Sequence, residues 1–141
     1  SQDDPAACTL VYMAVQSPQR RHGIARAMLQ HMIARHPHAE LACIASQVPT
    51  FEAMGFQLLA AHGPQVLMNT RDHSANGPVA VQDLTPIFES TQVRQIHAYL
   101  LKQYGKKAMS EAEKQRDRQL DQLTQRALAL VHERRASGSV H

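Results

Sequence analysis

The N-terminal part of the chain alternates short apolar runs with one helical stretch, and this order restricts the folds it can adopt. The run Ala7–Val15 is apolar and rich in strand-forming residues, which is typical of a buried strand. Residues 20–35 carry apolar side chains at a helical period, and Pro37 ends the helix because it can neither donate a hydrogen bond nor continue the turn. A second buried strand is predicted at Ala39–Ala45. A strand, a helix and a strand in this order predict a parallel unit with a right-handed crossover, and therefore an α/β protein.

The following segments extend this unit into a small sheet and then change in composition. A short helix is predicted at Thr50–Gly55, and two further strands are predicted at Gln57–Ala61 and Gln65–Thr70. The next stretch is rich in Gly, Pro, Asn and Ser, which is the composition of a linker. We therefore divide the chain into an α/β module at residues 1–71, a linker at 72–82 and a helical extension at 83–141.

The first part of the helical extension carries an apolar stripe. Thr85 followed by Pro86 predicts a helix start, with threonine as the cap and proline at the first helical position. Gly105 is expected to end this helix. The apolar residues between them recur at helical spacing, and we expect them to pack on the sheet; they are Val93, Ile96, Leu100, Leu101 and Tyr104.

The last helix is predicted to begin at Ser110, because Ser110 with Glu113 three residues later forms a capping box. Its apolar residues form a narrow seam at spacings of three and four, which is closer to a coiled-coil seam than to a wide core face. A seam of this width favours a partner helix, so we expect a homodimer through the C-terminal helix. The seam residues are Leu120, Leu123, Ala127 and Leu130.

Charge and composition exclude several classes of function. Residues 1–72 carry five Lys/Arg and five Asp/Glu, so the net charge of +3 falls entirely in residues 73–141. The charges of that part alternate in sign, which is typical of a solvated helix face. With 4% aromatic residues and no Trp, the chain lacks the mixture of basic and aromatic residues that binds nucleic acid by stacking. Nucleic-acid binding is therefore not expected.

The cysteines and apolar runs indicate the compartment. The two cysteines, Cys8 and Cys43, lie within apolar runs, which favours buried thiols in a reducing environment over a disulfide framework. No apolar stretch approaches the roughly 18 residues that a membrane span needs, and the first residues do not resemble a signal peptide. We expect a cytoplasmic protein that neither spans nor binds a membrane.

The residues that point to chemistry are Arg20, Arg21, His22, Gly23, Ile24 and Ala25, between the first strand and the first helix. A glycine at such a turn lets the backbone approach a ligand, and the N–H groups of the first helical turn have no partners within the helix. The helix dipole adds positive potential there, and two arginines add charged donors. This combination predicts a phosphate-binding turn, and a diphosphate-bearing cofactor fits it.

This turn resembles the pyrophosphate-binding motif R/Q-x-x-G-x-G/A of the GNAT superfamily, the acetyl-CoA-dependent N-acyltransferases. Arg20, Gly23 and Ala25 fill its three defined positions, and Val15 stands five residues before Arg20, where the family's strand edge pairs with the pantetheine arm. The segment FEAMGF at residues 51–56 resembles the family's Y-E-x-x-G-F segment, which borders the thioester. The resemblance covers residues 8–70. It implies a GNAT-like half sheet followed by a helical extension, with acetyl-CoA (CoA) bound by Val15, Arg20, Arg21, His22, Gly23, Ile24 and Ala25.

The chain departs from the family pattern in two ways. Phe51 stands where the family usually has a tyrosine that protonates the departing CoA thiolate, and phenylalanine has no proton to give. Only six residues precede Ala7, so the part of the family fold that lines the acceptor site has no counterpart. We expect the acceptor pocket to be truncated, rebuilt by the C-terminal helices, or completed by another subunit.

Other side chains have a chemical and a purely structural interpretation. Tyr12 would lie beside the cofactor and could protonate a thiolate, or it is a strand tyrosine with its hydroxyl at the rim. Cys43 is expected to pack in the core, since no His–Asp partner can be identified. The histidines at positions 31, 36 and 38 lack Cys or carboxylate ligands at metal spacing, so they are predicted on the surface and no metal is expected.

Two functions follow from the resemblance. The first is an N-acetyltransferase that passes an acetyl group from acetyl-CoA to a small-molecule or protein amine. The second is a catalytically reduced GNAT-like module that acts as a regulatory or protein-interaction protein. Phe51, the missing acceptor half and the C-terminal seam favour the second, while family members that work without that tyrosine keep the first open.

Overall fold

A computed structural model of the protein describes residues 4–75 and 84–138. The described residues form two compact units: one contains residues 4–75 and 122–138, and the other contains residues 84–121. Among the described residues, no helix is both long enough and apolar enough to cross a membrane.

The first unit is built around a four-stranded sheet in the order β1-β2-β4-β3. Its strands are β1 (Ala7–Leu10), β2 (His38–Cys43), β3 (Gln57–His62) and β4 (Gln65–Asn69). Helix α1 (Ile24–Arg35) connects β1 to β2, and these two strands are parallel. β4 is antiparallel to both β2 and β3. The predicted α/β class, the parallel strand–helix–strand unit and all four strands are therefore confirmed, although β1 is shorter than the apolar run Ala7–Val15.

One face of the sheet carries the core. Alternate residues of a strand point to the same face, and the register pairs Leu41 with Met68 and Cys43 with Val66. These four side chains are buried, and Leu29 of α1 belongs to the same apolar cluster. Ala42, which lies between the buried Leu41 and Cys43, is exposed. The sheet is thus covered by helices on the face that carries Leu41 and Met68.

The C-terminal helix completes this core. Helix α4 (Thr91–Gly138) brings Ala127 and Val131 into the cluster, where they are 0% and 6% exposed. Farther along, the Arg134 guanidinium lies 3.1 Å from the Glu52 carboxylate, and Arg135 Nη2 donates to the Leu59 carbonyl over 3.5 Å. The expectation that the seam is left free for a partner is wrong for Ala127, which packs in the core of its own chain.

The second unit consists of helix α3 (Thr85–Phe88) and the first part of α4. Gly105 interrupts α4 with φ 81° and ψ 161°, so the predicted end of a helix at this glycine is confirmed. Within the second unit the stripe before it is not covered: Ile96 is 58% and Tyr104 65% exposed. Its packing on the sheet stays a prediction. Spacing shows that a helix has an apolar face but not what, if anything, covers it.

Two predicted helix starts differ from the structure. Ser110 lies inside α4 and does not cap it, because the helix resumes directly after Gly105. Lys106, Lys107, Ala108 and Met109 are strong helix formers, and their propensity outweighs the capping box. Thr85 is the first helical residue of α3 and not its cap, which is Leu84. The predicted linker is described only to residue 75; the rest of residues 72–82 lies outside the described residues.

Helix α2 (Val48–Glu52) ends in a defined turn. Gly55 has φ 94°, a conformation that favours glycine. The Phe56 N–H donates to the Phe51 carbonyl over 3.1 Å, and the Gly55 N–H donates to the Glu52 carbonyl over 3.0 Å. This pair of bonds is a Schellman motif, which an apolar contact across the turn usually accompanies. Here the rings of Phe51 and Phe56 meet edge to face, with their centroids 6.1 Å apart.

Candidate functional site

The two parallel strands separate at one end. β1 pairs with β2 only as far as Leu10, opposite Leu41. β2 continues through Ala42 and Cys43, which pair with β4 alone, while residues 11–16 leave the sheet without regular structure. Between the diverging strands lies a cavity of about 270 Å³, which we call the splay cleft. It is lined by Leu10, Val11, Tyr12, Met13, Leu41, Ala42, Cys43, Gln47 and Phe51.

The turn after β1 places backbone groups at the start of α1. A single 3₁₀ turn at Ser17–Gln19 precedes it. Arg21 and Gly23 follow with φ 67° and 77°, both in the left-handed region. Gly23 is the N-cap of α1, and no side chain bonds to the first turn. Two left-handed residues so close together make a tight turn, and the N–H groups of the first turn of α1, which have no partners within the helix, follow directly after it.

A side-chain bond holds this turn in shape. Arg20 Nε donates to the Val15 carbonyl over 3.0 Å. Because Arg20 and Val15 lie on either side of the 3₁₀ turn, the bond fixes the two sides of that turn relative to each other. Arg20 is thus a positioning residue of the turn as well as a positive charge beside it.

A second cavity, of about 500 Å³, lies at this turn; we call it the loop pocket. Six of the seven residues predicted to hold the cofactor line it, and His22 does not. Met13 lines both the loop pocket and the splay cleft, so the two cavities adjoin. The residues of the loop pocket are Met13, Ala14, Val15, Gln19, Arg20, Arg21, Gly23, Ile24, Ala25, Arg26 and Met54.

The loop pocket is positively charged. Arg20, Arg21 and Arg26 line it, and no carboxylate is among its described lining residues. The N-terminus of α1 adds the positive end of the helix dipole. A pocket with these groups attracts an anion with several oxygens, and a diphosphate fits this description.

The splay cleft brings Tyr12 and Phe51 to the same cavity. Tyr12 is 79% exposed, and it is the only residue with a hydroxyl among the cleft's described lining residues. Phe51 has a structural role, since its ring packs against Phe56 and its carbonyl accepts the bond that ends α2. The cleft therefore combines apolar side chains with one hydroxyl group at its rim.

Cys43 is a core thiol, as predicted. It is 4% exposed, and its Sγ lies 3.7 Å from the Met68 sulfur. Burial raises the pKa of the Cys43 thiol to about 11, and burial also raises the pKa of Cys8. Since the thiolate is the nucleophile, a thiol with so high a pKa is unsuited to nucleophilic catalysis at neutral pH.

The histidines do not form a metal site in the described part of the chain, where no group of three or more ligands is found. The prediction that they are solvated is wrong for His38, which is 9% exposed. Its Nε2 lies 3.0 Å from the His73 carbonyl, so Nε2 carries a proton and donates. This hydrogen bond to the carbonyl of His73, a residue distant in sequence, satisfies the polar ring and explains why it can be buried.

Sequence reasoning missed Arg26 and Met54, which line the loop pocket. The sequence left two interpretations open for Ser46 and Gln47, which either bond the cofactor or turn the chain, and Gln47 lines the splay cleft. A signal existed for Arg26, which lies in the first turn of α1. For Met54 the signal was its place in the FEAMGF segment, where the turn after α2 directs side chains toward α1. Nothing in the local sequence distinguishes Gln47 from its neighbour Ser46.

Comparisons with known proteins give no relative of this chain: no family model, no curated protein and no solved structure matches it.

Proposed function

We propose that the chain binds acetyl-CoA and transfers the acetyl group to an amine, as a GNAT-like N-acetyltransferase. One observation carries the proposal: a cationic pocket at a helix N-terminus adjoins a cleft between two diverging parallel strands. An elongated thioester with a diphosphate at one end needs this combination. The loop pocket's volume of about 500 Å³ is of the size that holds a small organic ligand, and the adjoining splay cleft adds about 270 Å³.

In this proposal each part of the ligand has its own residues. The diphosphate binds the backbone N–H groups of Arg21–Ala25, with the side chains of Arg20 and Arg26 beside them. The pantetheine arm lies along residues 11–15, whose backbone is not paired with β2. Its amides can then bond to the strand edge as another strand would. This arrangement directs the thioester into the splay cleft.

The chemical step needs an oriented thioester, a polarised carbonyl and a neutral amine. The amine nitrogen attacks the thioester carbon, the C–S bond breaks, and the CoA thiolate takes a proton. A backbone N–H near Val15 is the proposed donor to the carbonyl oxygen. Tyr12 is the proposed source of the proton, since Phe51 has none and the Cys43 thiol is buried, whereas Tyr12 is exposed.

A second candidate is a CoA-binding or CoA-free module that acts as a regulatory or interaction protein in place of an enzyme. The exposed apolar residues of the second unit favour it, because large apolar patches mark interaction surfaces. Homodimerisation through the C-terminal helix belongs to this candidate as a prediction, and it competes with the packing of Ala127 in its own core. For either candidate the free cysteines fit a reducing compartment such as the cytoplasm.

Calorimetric titration of the chain with acetyl-CoA tests the proposal. We expect binding for the wild type and none for Gly23→Glu, which places a carboxylate at the N-terminus of α1. Gly63→Glu is the matched control. Gly63 also has positive φ, with open space around its Cβ position, and it lies in the turn between β3 and β4. The Gly63→Glu substitution therefore introduces the same type of backbone strain and the same charge, but outside the site.

The outcomes separate the candidates. Binding by the wild type and Gly63→Glu, with loss in Gly23→Glu, supports the cofactor site. Release of free CoA thiol that requires an added amine then supports the enzyme, and binding without release supports the regulatory module. No heat from the wild type at acetyl-CoA concentrations of about 1 mM, the weak end of specific binding, would overturn both the site and the activity.

A further inference from the structure

Helix α2 and the turn that follows it contribute to both cavities of the candidate site. Phe51, near the end of α2, lines the splay cleft. Gln47, the N-cap of α2, lines the same cleft. Met54, in the turn after α2, lines the loop pocket. The position of this one short helix therefore affects the shape of both cavities.

Helix α2 depends on tertiary contacts for its position. It has five residues, Val48–Glu52, and isolated helices shorter than about 12 residues are marginal in water. Its N-cap Gln47 makes no side-chain bond to the first turn. Val48 is 0% exposed in the core cluster, and Phe51 and Met54 pack against that cluster. The packing of the core around α2 therefore holds the helix in place.

The last turns of α4 are connected to α2 through the core and through an ion pair. Val131 of α4 and Val48 of α2 belong to the same buried cluster. Beyond Val131 on α4, Arg134 Nη2 donates to Glu52 Oε2 over 3.1 Å. Glu52 directly follows Phe51 in α2. The end of α4 is thus bonded to the residue next to the splay cleft.

The exposure of this ion pair sets the size of its effect. The side chains of Arg134 and Glu52 are 50% and 32% exposed. The loss of a pair with such exposure changes an equilibrium constant by about fivefold or less. Such a change is small for the fold as a whole, but it falls on the helix that carries Phe51 and precedes Met54.

We propose that the end of α4 sets the geometry of the acetyl-CoA site, with Arg134 as a positioning residue that acts through Glu52 on α2. Neither residue is among the described lining residues of either cavity. Their effect on binding therefore comes through the positions of Phe51 and Met54. This inference rests on the proposed function, because acetyl-CoA is the ligand whose affinity it concerns.

Charge exchange in the full chain tests the inference. Arg134→Glu places two carboxylates together and should weaken acetyl-CoA binding in calorimetric titration by about two- to fivefold. Arg134→Glu/Glu52→Arg restores an ion pair of reversed direction, together with the wild-type net charge, and should return the affinity to the wild-type value. Arg134→Lys keeps the charge and should bind nearly as the wild type does. A loss that did not depend on the pairing of these two residues would not be rescued in this way.

Arg126→Glu is the matched control. Arg126 is an exposed residue of the same part of α4, and none of the ion pairs found among the described residues includes it. Its substitution changes the net charge of the chain by the same amount as Arg134→Glu, and it should leave acetyl-CoA affinity unchanged. Circular dichroism verifies that each variant is folded.

Methyl NMR of the ligand-free chain reports the geometry of the site without acetyl-CoA. The methyl signal of Met54, assigned with Met54→Leu, should shift in Arg134→Glu and return in Arg134→Glu/Glu52→Arg. Met28 is the internal reference, because it lies on α1 and is 48% exposed outside both cavities. A general loss of stability would not move the Met54 signal of the folded chain.

The outcomes distinguish this inference from the proposed function. Weaker binding and a shifted Met54 signal in Arg134→Glu, both reversed in the double variant, support the inference. Wild-type affinity or an unchanged Met54 signal in Arg134→Glu overturns it and leaves the proposed function standing, and so does an equal loss of affinity in Arg126→Glu or a failure of the double variant to restore binding. Absence of acetyl-CoA binding by the wild type overturns both.

Discussion

Replacing Ala127 by glutamate should destabilise the whole α/β unit, although residue 127 lies 58 positions beyond the last strand residue, Asn69. Ala127 is 0% exposed and lies in the cluster with Leu41 and Met68. A glutamate side chain there has neither space nor a partner for its charge. The substitution therefore tests whether the end of α4 belongs to the core of the first unit.

The expected magnitude follows from this burial. An uncompensated buried charge costs about 3–5 kcal/mol, and a domain of this size has roughly 5–15 kcal/mol of stability in total. At roughly 3 °C per kcal/mol for a chain of this length, the melting temperature should fall by about 10–15 °C. Leu128→Glu is the matched control. Leu128 is the next residue and is 51% exposed, so its substitution should change the stability by about 0.5 kcal/mol or less.

Thermal unfolding followed by circular dichroism, at several protein concentrations, measures both variants. A dimer held by the seam would show a wild-type melting temperature that rises with concentration, and Ala127→Glu would remove that dependence. Packing of Ala127 on its own sheet gives a large loss that is the same at every concentration. If Ala127→Glu and Leu128→Glu are equally stable, the end of α4 does not cover the sheet and our reasoning is refuted.

Three other predictions concern the site, a buried thiol and assembly. Phe51→Tyr should raise acetyl transfer or leave it unchanged, measured as release of CoA thiol, whereas a large fall would show that residue 51 does not face the thioester. Because the Cys43 thiol has its pKa raised from 9.0 to about 11, the folded state retains a proton that the unfolded state loses between these pH values. The free energy of unfolding should fall by about 2 kcal/mol from pH 9 to 11, and Cys43→Ala should lack this fall in urea titrations; an identical pH dependence would contradict it. In light scattering, Leu123→Glu should convert a dimer to a monomer if the seam pairs, and a monomeric wild type would end the dimer prediction.

The sheet could be predicted from sequence because each strand is a short apolar run between turn residues. Local sequence was also sufficient to predict the helix ends at Gly105 and Gly55, where the glycine adopts a positive φ. The same reasoning failed at Ser110, because a capping box marks a helix start only when the preceding residues do not themselves favour helix.

Which helix face is buried could not be predicted. The stripe at Ile96 and Tyr104 is the more apolar pattern, yet Ala127 and Val131 lie in the core cluster and Leu130 packs against it. Tertiary packing decides between two amphipathic segments, and their spacings carry no information about it. Within the site, the sequence predicted the turn at Arg20–Ala25. The position of Gln47 in the splay cleft could not be predicted, because it depends on where the two strands diverge.

The order of the elements along the chain has a consequence for synthesis on the ribosome. The sheet is complete at Asn69, but Val131, which covers its apolar face, emerges about sixty residues later. At roughly 5–20 residues per second, this face of the nascent sheet is covered by α1 alone for several seconds. Leu41 and Met68 are then open to chaperones or to another nascent chain during that interval. Translation speed between codons 70 and 131 should therefore influence how much of the protein is obtained in folded form, without any change in its final stability.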